Sequence, residues 1–376
     1  MRRRLYLLTG FVAMLFNSTL QYSWNAYEPL LIKGFNATPS RVEIAFALFV
    51  LFSTSFQVFS GRFADIYGPK SVGVAGSVCL SIGLILGSLS PNLTTFYLAW
   101  TLGSVGEGIV YGVSLNLALK WYQERRGLAS GLVSMGFGLG GAIANPFIEA
   151  SGNFRLPMGV IGTLALTLVV LFSLSSYPKG QVGVSPGKVL KEPRFWTIYL
   201  SFTFASIPLL VFSASLTQIA SYLNSLYYTL ITVVFPIVSG TGRPLLGYLT
   251  DKLGRLRGID VVNFSLLLAT VFAVFGYAEK SPTYLIGSAV AIGIFGGSSY
   301  TLYSALVGDI YGPKYSTLNT SILYTGKIIS GVLGSFAFST LFEFSPKLGL
   351  LFLLGSSITS ILVLMLLHFN IDVRSR

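Results

Sequence analysis

The feature that most constrains this chain is a succession of apolar runs, each about 20 residues long, the length that carries a helix across a bilayer. Twelve are read along the sequence, at roughly 5–32, 42–60, 71–90, 93–119, 128–150, 156–177, 195–220, 225–246, 258–278, 283–307, 317–342 and 347–369. A soluble domain needs charge to cover its surface, and about 25% of its residues carry it. Here 10% are charged, 53% are hydrophobic and the mean hydropathy is +0.72. The 41 glycines suit helices that approach closely in lipid. Composition therefore excludes a water-soluble enzyme, a nucleic-acid-binding domain and a disordered chain. It predicts an all-α membrane protein.

Charge placement orients the spans. The net charge of +12 comes from 25 Lys and Arg against 13 Asp and Glu. These basic residues sit in short loops and form no stripe, so no nucleic-acid partner is expected. With a cytoplasmic N-terminus, the inner loops hold Arg2 to Arg4, Arg62, Lys70, Lys120, Arg125, Arg126, the basic residues of 179–194, Lys252, Arg255, Arg257, Lys314, Arg374 and Arg376. The outer loops hold Lys33, Arg41, Arg155, Lys280 and Lys347. The positive-inside rule thus puts both termini in the cytoplasm. The apolar run after Met1 is too long, and lacks the small-residue site, for a cleaved signal. Cys79 and His368 are the single cysteine and the single histidine, so neither a disulfide framework nor a metal site is expected.

The longest non-apolar stretch, about 177–194, lies near the middle with six predicted spans on either side. The expected domains are a six-helix bundle over 1–177, a cytoplasmic linker over 178–194 and a second bundle over 195–376. Both halves carry the same loop after their second span. Gly61, Asp65 and Gly68 recur as Gly247, Asp251 and Gly254, followed by Arg255, at an offset close to half the chain. A small residue lets helices approach, an acid can accept hydrogen bonds from a helix N-terminus, and glycine permits a tight turn. These residues are the expected conformational gating loops. Repeated halves suit alternating access about a midplane site. The duplication resembles the major facilitator superfamily over the whole length, which implies twelve helices in two pseudo-symmetric bundles. No G-x-x-x-x-G-K-[ST] loop is present, so ATP-driven pumping is not expected. Gly136, Gly138 and Gly141 spell G-x-G-x-x-G inside a span, where helix packing is the reading.

Two cations fall inside spans. Arg243 precedes Asp251 by eight residues, about 12 Å inward, and Lys327 lies about 15 Å into the eleventh span. A midplane cation costs on the order of 3 kcal/mol on insertion scales, so such residues mark functional sites. The acids of the C-terminal half, Asp251, Asp260, Glu279, Asp309, Glu343 and Asp372, all sit at span ends. In the N-terminal half Glu107 lies mid-span, as a charge partner for one cation or as a proton relay. The arrangement predicts a site for a small anion. Tyr22, Trp24, Tyr111, Phe137, Tyr300, Tyr303 and Tyr324 lie at similar depth, and tyrosine hydroxyls favour a polar cavity.

Gln21-Tyr22-Ser23-Trp24, Gly108-Ile109-Val110-Tyr111-Gly112, Lys120-Trp121-Tyr122 and Arg125-Arg126-Gly127 resemble the oxalate/formate antiporter family, relatives of the monocarboxylate transporters. So do Gly242-Arg243, Gly308-Asp309-Ile310-Tyr311-Gly312 and Tyr324-Thr325-Gly326-Lys327. The resemblance implies that Arg243 and Lys327 bind substrate carboxylates, and that Tyr111, Phe137, Tyr300, Tyr324, Gln21 and Tyr22 line the cage. Leu15 and Gly296 stand where that family carries aromatic residues, which implies a larger cavity. Ser239 stands where proton-coupled monocarboxylate transporters often carry Asp.

The expectation is a multi-pass cell-membrane carrier of small organic carboxylates, an exchanger, without cofactor and acting as a monomer. Proton symport through Glu107 is the alternative. No nucleophile–base or metal constellation suggests an enzyme.

Overall fold

The computed structural model describes residues 2–372; Arg374 and Arg376, read above as cytoplasmic, lie outside the described residues. The chain is helical throughout, as α1 (Arg2–Gln21), α2 (Trp24–Phe35), α3 (Pro39–Tyr67), α4 (Pro69–Leu89), α5 (Leu93–Trp121), α6 (Arg126–Ala150), α7 (Arg155–Ala165), α8 (Thr167–Ser173) and α9 (Pro186–Val189). Next come α10 (Pro193–Ala214), α11 (Leu216–Ile219), α12 (Ser225–Leu253), α13 (Arg255–Ala278), α14 (Pro282–Tyr311), α15 (Ser316–Tyr324), α16 (Gly326–Val332), α17 (Phe338–Phe344) and α18 (Pro346–Asp372).

Local chemistry sets many helix starts. Pro opens α3, α4, α9, α10, α14 and α18, where its missing N–H is harmless. Asn92 Oδ1 accepts from the Thr95 amide (3.0 Å) and the Thr95 hydroxyl accepts from the Asn92 amide (3.4 Å), a capping box at α5. Asn224 caps α12 likewise through the Tyr227 amide.

Among the described residues, ten helices are long and apolar enough to cross a membrane. The first and eleventh predicted spans are not among them, and both are interrupted; α1 is long enough at 20 residues but carries Arg2, Arg3 and Arg4 and the polar Asn17, Ser18, Thr19 and Gln21. The first breaks at Tyr22 and Ser23, between α1 and α2. The eleventh breaks at Thr325 and again in a π-helical turn over Leu333–Ala337. Hydropathy averaged over a span does not register such breaks, since they alter backbone hydrogen bonding and involve only a few residues each.

The residues form two compact units. One comprises Met1–Glu124, Leu132–Gly183 and Gly312–Ile322; the other comprises Arg125–Gly131, Val184–Tyr311 and Leu323–Arg376. The first is built around α5. At Gly83 and Gly106 a methyl group would strike the backbone of Gly103 and of Leu80, so α4 and α5 meet main chain to main chain. Gly108 does the same against the Ser53 carbonyl of α3. Gly136 and Gly141 face the Phe11 carbonyl and Tyr22, consistent with packing against α1. An aromatic core of Trp24, Tyr27, Phe96, Trp100 and Phe154 fills the remaining space.

The second unit closes on a buried polar knot. Asn263 Nδ2 donates to the Tyr303 hydroxyl (2.9 Å) and Ser360 Oγ (3.0 Å), while Ser201 Oγ lies 2.7 Å from the Tyr303 hydroxyl. One residue each from α10, α13, α14 and α18 is thereby tied together. In lipid such groups have no water to turn to, so internal pairing is obligatory.

Candidate functional site

In the second unit, Arg243 rides on α12, next to Pro244 and 2% exposed. Its Nε donates to the Ser239 carbonyl one turn earlier (3.0 Å). Two glycines clasp this stretch of α12. A methyl on Gly131 would lie 2.5 Å from the Arg243 carbonyl oxygen, and one on Gly297 would lie 2.7 Å from the Ser239 carbonyl oxygen. The backbone that carries the guanidinium is therefore held on two sides.

Lys327 stands in the first turn of α16, half-buried, immediately past the break at Thr325. Tyr324 precedes it and donates its hydroxyl to the Tyr300 carbonyl (2.9 Å). The Tyr300 and Tyr324 rings are 5.8 Å apart, and Phe202 bridges them at 5.2 Å from Tyr300 and 5.7 Å from Tyr324. Tyr199, one turn before Phe202, brings its hydroxyl within 3.1 Å of Thr325 Oγ1 and so props the break. Tyr199 and Phe202 were not singled out from sequence, and Thr325 entered only as part of the Tyr324–Lys327 motif. The i, i+3 aromatic spacing on α10 was visible, but the span is rich in aromatics and the spacing alone did not distinguish them.

In the first unit, Phe137 gathers two predicted residues, with edge-on contacts to Tyr22 (5.2 Å) and Tyr111 (5.5 Å). Gln21 is half-buried at the end of α1. Trp24, predicted beside them, instead enters the core between Phe46 and Trp100, its indole nitrogen donating to Glu43 (3.3 Å). Glu107 is 2% exposed. Its Oε2 accepts a short hydrogen bond from Ser53 Oγ, and its carbonyl accepts from Asn17 Nδ2 (3.2 Å). The contact that Gly108 permits between α3 and α5 sets Ser53 beside this carboxyl.

The repeated loop builds one latch in each unit. In the first, Asp65 receives the amides of Thr317 (3.3 Å) and Leu318 (2.9 Å) at the start of α15. Lys120 pairs with the same carboxylate at 2.7 Å and also donates to the Lys314 carbonyl (3.0 Å). In the second, Asp251 receives the amides of Gly127 (2.9 Å) and Leu128 (2.8 Å) at the start of α6, and Arg255 pairs with it at 2.6 Å. Arg255 also reaches Asp309 (2.9 Å), which pairs with Arg126 in turn. Each acid thus satisfies two amides that a helix start leaves open.

The two glycines of each loop have different uses. A methyl on Gly61 would press on the Thr317 carbonyl and on Ser321, and one on Gly247 would strike the Gly127 carbonyl. These glycines let backbones approach. Gly68 (φ +86°) and Gly254 (φ +91°) have open space around them and are required by conformation.

Ten helices long and apolar enough to cross a membrane, two of them carrying a buried arginine and a buried carboxyl, mark a multi-pass membrane protein. The chain belongs to the Major Facilitator Superfamily, whose sequence profile matches residues 6–255 and 208–375. It is 40% identical over 364 residues to an uncharacterized 38 kDa protein of Thermoproteus tenax, covering 96% of this chain and 95% of that one. It is 28% identical over 358 residues to the oxalate:formate antiporter of Oxalobacter formigenes, covering 88% and 83%. In fold it is similar to the human organic anion transporter MFSD10, with a TM-score of 0.78, 13% identity and coverage of 98% and 100%. Another similar fold is FucP in its outward conformation, with a TM-score of 0.76, 11% identity and coverage of 96% and 98%.

Proposed function

We propose that this transporter carries small organic carboxylate anions across the cell membrane by alternating access, exchanging one for another in the manner of an oxalate/formate-type antiporter. The observation that carries the reading is Arg243, a guanidinium 2% exposed on a transmembrane helix whose backbone is held by Gly131 and Gly297. A planar guanidinium fork matches a carboxylate bidentately, and a cation at this depth is retained for a ligand or a pathway. Lys327 supplies a second cation from α16. Tyr300, Tyr324, Tyr22, Trp24, Tyr111, Phe137 and Gln21 are the further substrate-binding residues of this reading. The likeness to the oxalate:formate antiporter of Oxalobacter formigenes supports the choice of anion class.

In this reading the chain crosses the membrane twelve times, with the interrupted α1–α2 and α15–α17 as the first and eleventh crossings. Both termini are cytoplasmic, 178–194 is the linker between bundles 1–177 and 195–376, and the carrier works as a monomer. The loop residues Gly61, Asp65, Gly68, Gly247, Asp251, Gly254 and Arg255 gate its conformations. Proton-coupled monocarboxylate symport is the second reading, favoured by Glu107, whose carboxyl sits in the membrane with Ser53 as a hydrogen-bond donor.

The test is counterflow in proteoliposomes with a panel of mono- and dicarboxylates. Uptake of labelled substrate that requires internal unlabelled carboxylate, and that Arg243→Ala removes while the protein still inserts, is the expected result. Undiminished counterflow by Arg243→Ala would refute the site.

A further inference from the structure

The two latches have the same plan but different surroundings. The carboxylate of Asp65 and the ammonium of Lys120 are 2% and 1% exposed. In the other latch Asp251 and Arg255 are 9% and 11% exposed, and Arg255 extends the pair to Asp309, which is 33% exposed. The sequence gives no reason for this difference, since both loops read Gly, Asp, Gly. The cause lies at the head of the central linker. Tyr177 lays its ring over the Lys120 ammonium, 4.5 Å from nitrogen to ring centroid, and its hydroxyl accepts from Thr317 Oγ1 (3.4 Å). One side chain therefore touches both the cation of the latch and the helix start that the latch holds. Burial and the neighbouring Asp65 push the Tyr177 phenol far above its usual range, so it stays protonated at any ordinary pH.

The linker is fixed in this position from both ends. Before Tyr177, the Trp121 indole donates to the Ser176 carbonyl (2.7 Å) and the Tyr6 hydroxyl lies 2.9 Å from Ser176 Oγ. After it, Gln181 Nε2 reaches the Lys120 carbonyl (3.5 Å) and the Lys314 amide donates to the Val182 carbonyl (3.3 Å). A tyrosine tied down on both sides cannot swing away without breaking several bonds.

We infer that Tyr177 is a positioning residue that shields the Asp65–Lys120 latch from water and salt, so that the two gating latches of this transporter respond differently to ionic strength. Exposed ion pairs are screened as the Debye length shrinks, whereas desolvated pairs are screened far less. The inference rests on the latch geometry alone and does not depend on which anion is carried.

Hydrogen exchange of the full-length protein in nanodiscs tests it, comparing KCl at about 20 mM and about 500 mM, which spans Debye lengths of about 20 Å and about 4 Å. The reporters are the Thr317 and Leu318 amides for the shielded latch and those of Gly127 and Leu128 for the open one. In wild-type protein, high salt is expected to speed exchange several-fold at 127–128 and to leave 317–318 unchanged. Tyr177→Leu should speed exchange at 317–318 by about tenfold, the effect of losing a desolvated cation–π contact, and should make it salt-dependent. Its amides at 127–128 should match wild type, which verifies the fold. Tyr177→Phe keeps the ring and should stay insensitive to salt. Equal salt responses of the two latches in wild-type protein would overturn the inference without any variant. So would a Tyr177→Leu protein whose 317–318 amides ignore salt.

Discussion

At the residue scale, the two cations proposed to bind the substrate would make different demands on it. Arg243 offers a planar fork and Lys327 a compact ammonium, so a dicarboxylate can engage both and a monocarboxylate engages one strongly. Arg243→Lys preserves charge but not the fork, and transport is expected to fall at least about tenfold, the worth of one charge-assisted hydrogen bond, with insertion unchanged. Lys327→Ala should impair dicarboxylate counterflow more than monocarboxylate counterflow. Equal losses for the two classes would exclude bridging. The burial of Arg243 was legible from sequence, because a cation inside an apolar run stands out. Tyr177 was not legible, since it is an ordinary tyrosine at a linker edge until the fold sets it beside Lys120 and Thr317. Trp24, read from sequence at the same depth, packs its ring against Trp100 and Phe46.

At the element scale, the helical pattern was readable and its interruptions were not. The α1–α2 break at Ser23 and the α15–α16 break at Thr325 involve small polar residues with no sequence mark that separates them from other serines and threonines in the spans. Glycine was readable as a class, yet its separate duties needed coordinates. Gly68 adopts φ +86° and ψ 172°, a region open essentially only to glycine. Gly68→Ala is therefore expected to cost about 1–3 kcal/mol in backbone strain. Gly108→Ala should cost a similar amount by overpacking against Ser53 and should also disturb the Ser53–Glu107 hydrogen bond. Gly187, with open space and no positive φ, is the control. Thermal unfolding in detergent should show lowered midpoints for the first two alanine variants and none for Gly187→Ala. An unshifted Gly68→Ala midpoint would remove conformation as the reason for that glycine.

For the whole molecule, the duplicated loop and the even count of predicted spans pointed to the Major Facilitator Superfamily, and the chain belongs to it. At this scale the driving force of the proposed cycle is tested at Glu107. A buried carboxyl that accepts from Ser53 can serve either as a fixed charge or as a proton carrier, and the two roles give opposite flux patterns. An exchanger needs a carboxylate on both sides and ignores an imposed pH gradient, whereas a symporter accumulates substrate against empty vesicles when the outside is acid. The proposed reading is exchange. The expected result is uptake that depends on internal carboxylate and is indifferent to the pH gradient in wild-type protein. Glu107→Gln, which keeps the shape and a hydrogen bond to Ser53, should then retain counterflow within a few-fold, the scale of one neutral hydrogen bond. Proton-driven uptake that Glu107→Gln abolishes while exchange between equal pools survives would reverse the assignment, making Glu107 the proton site and the protein a symporter.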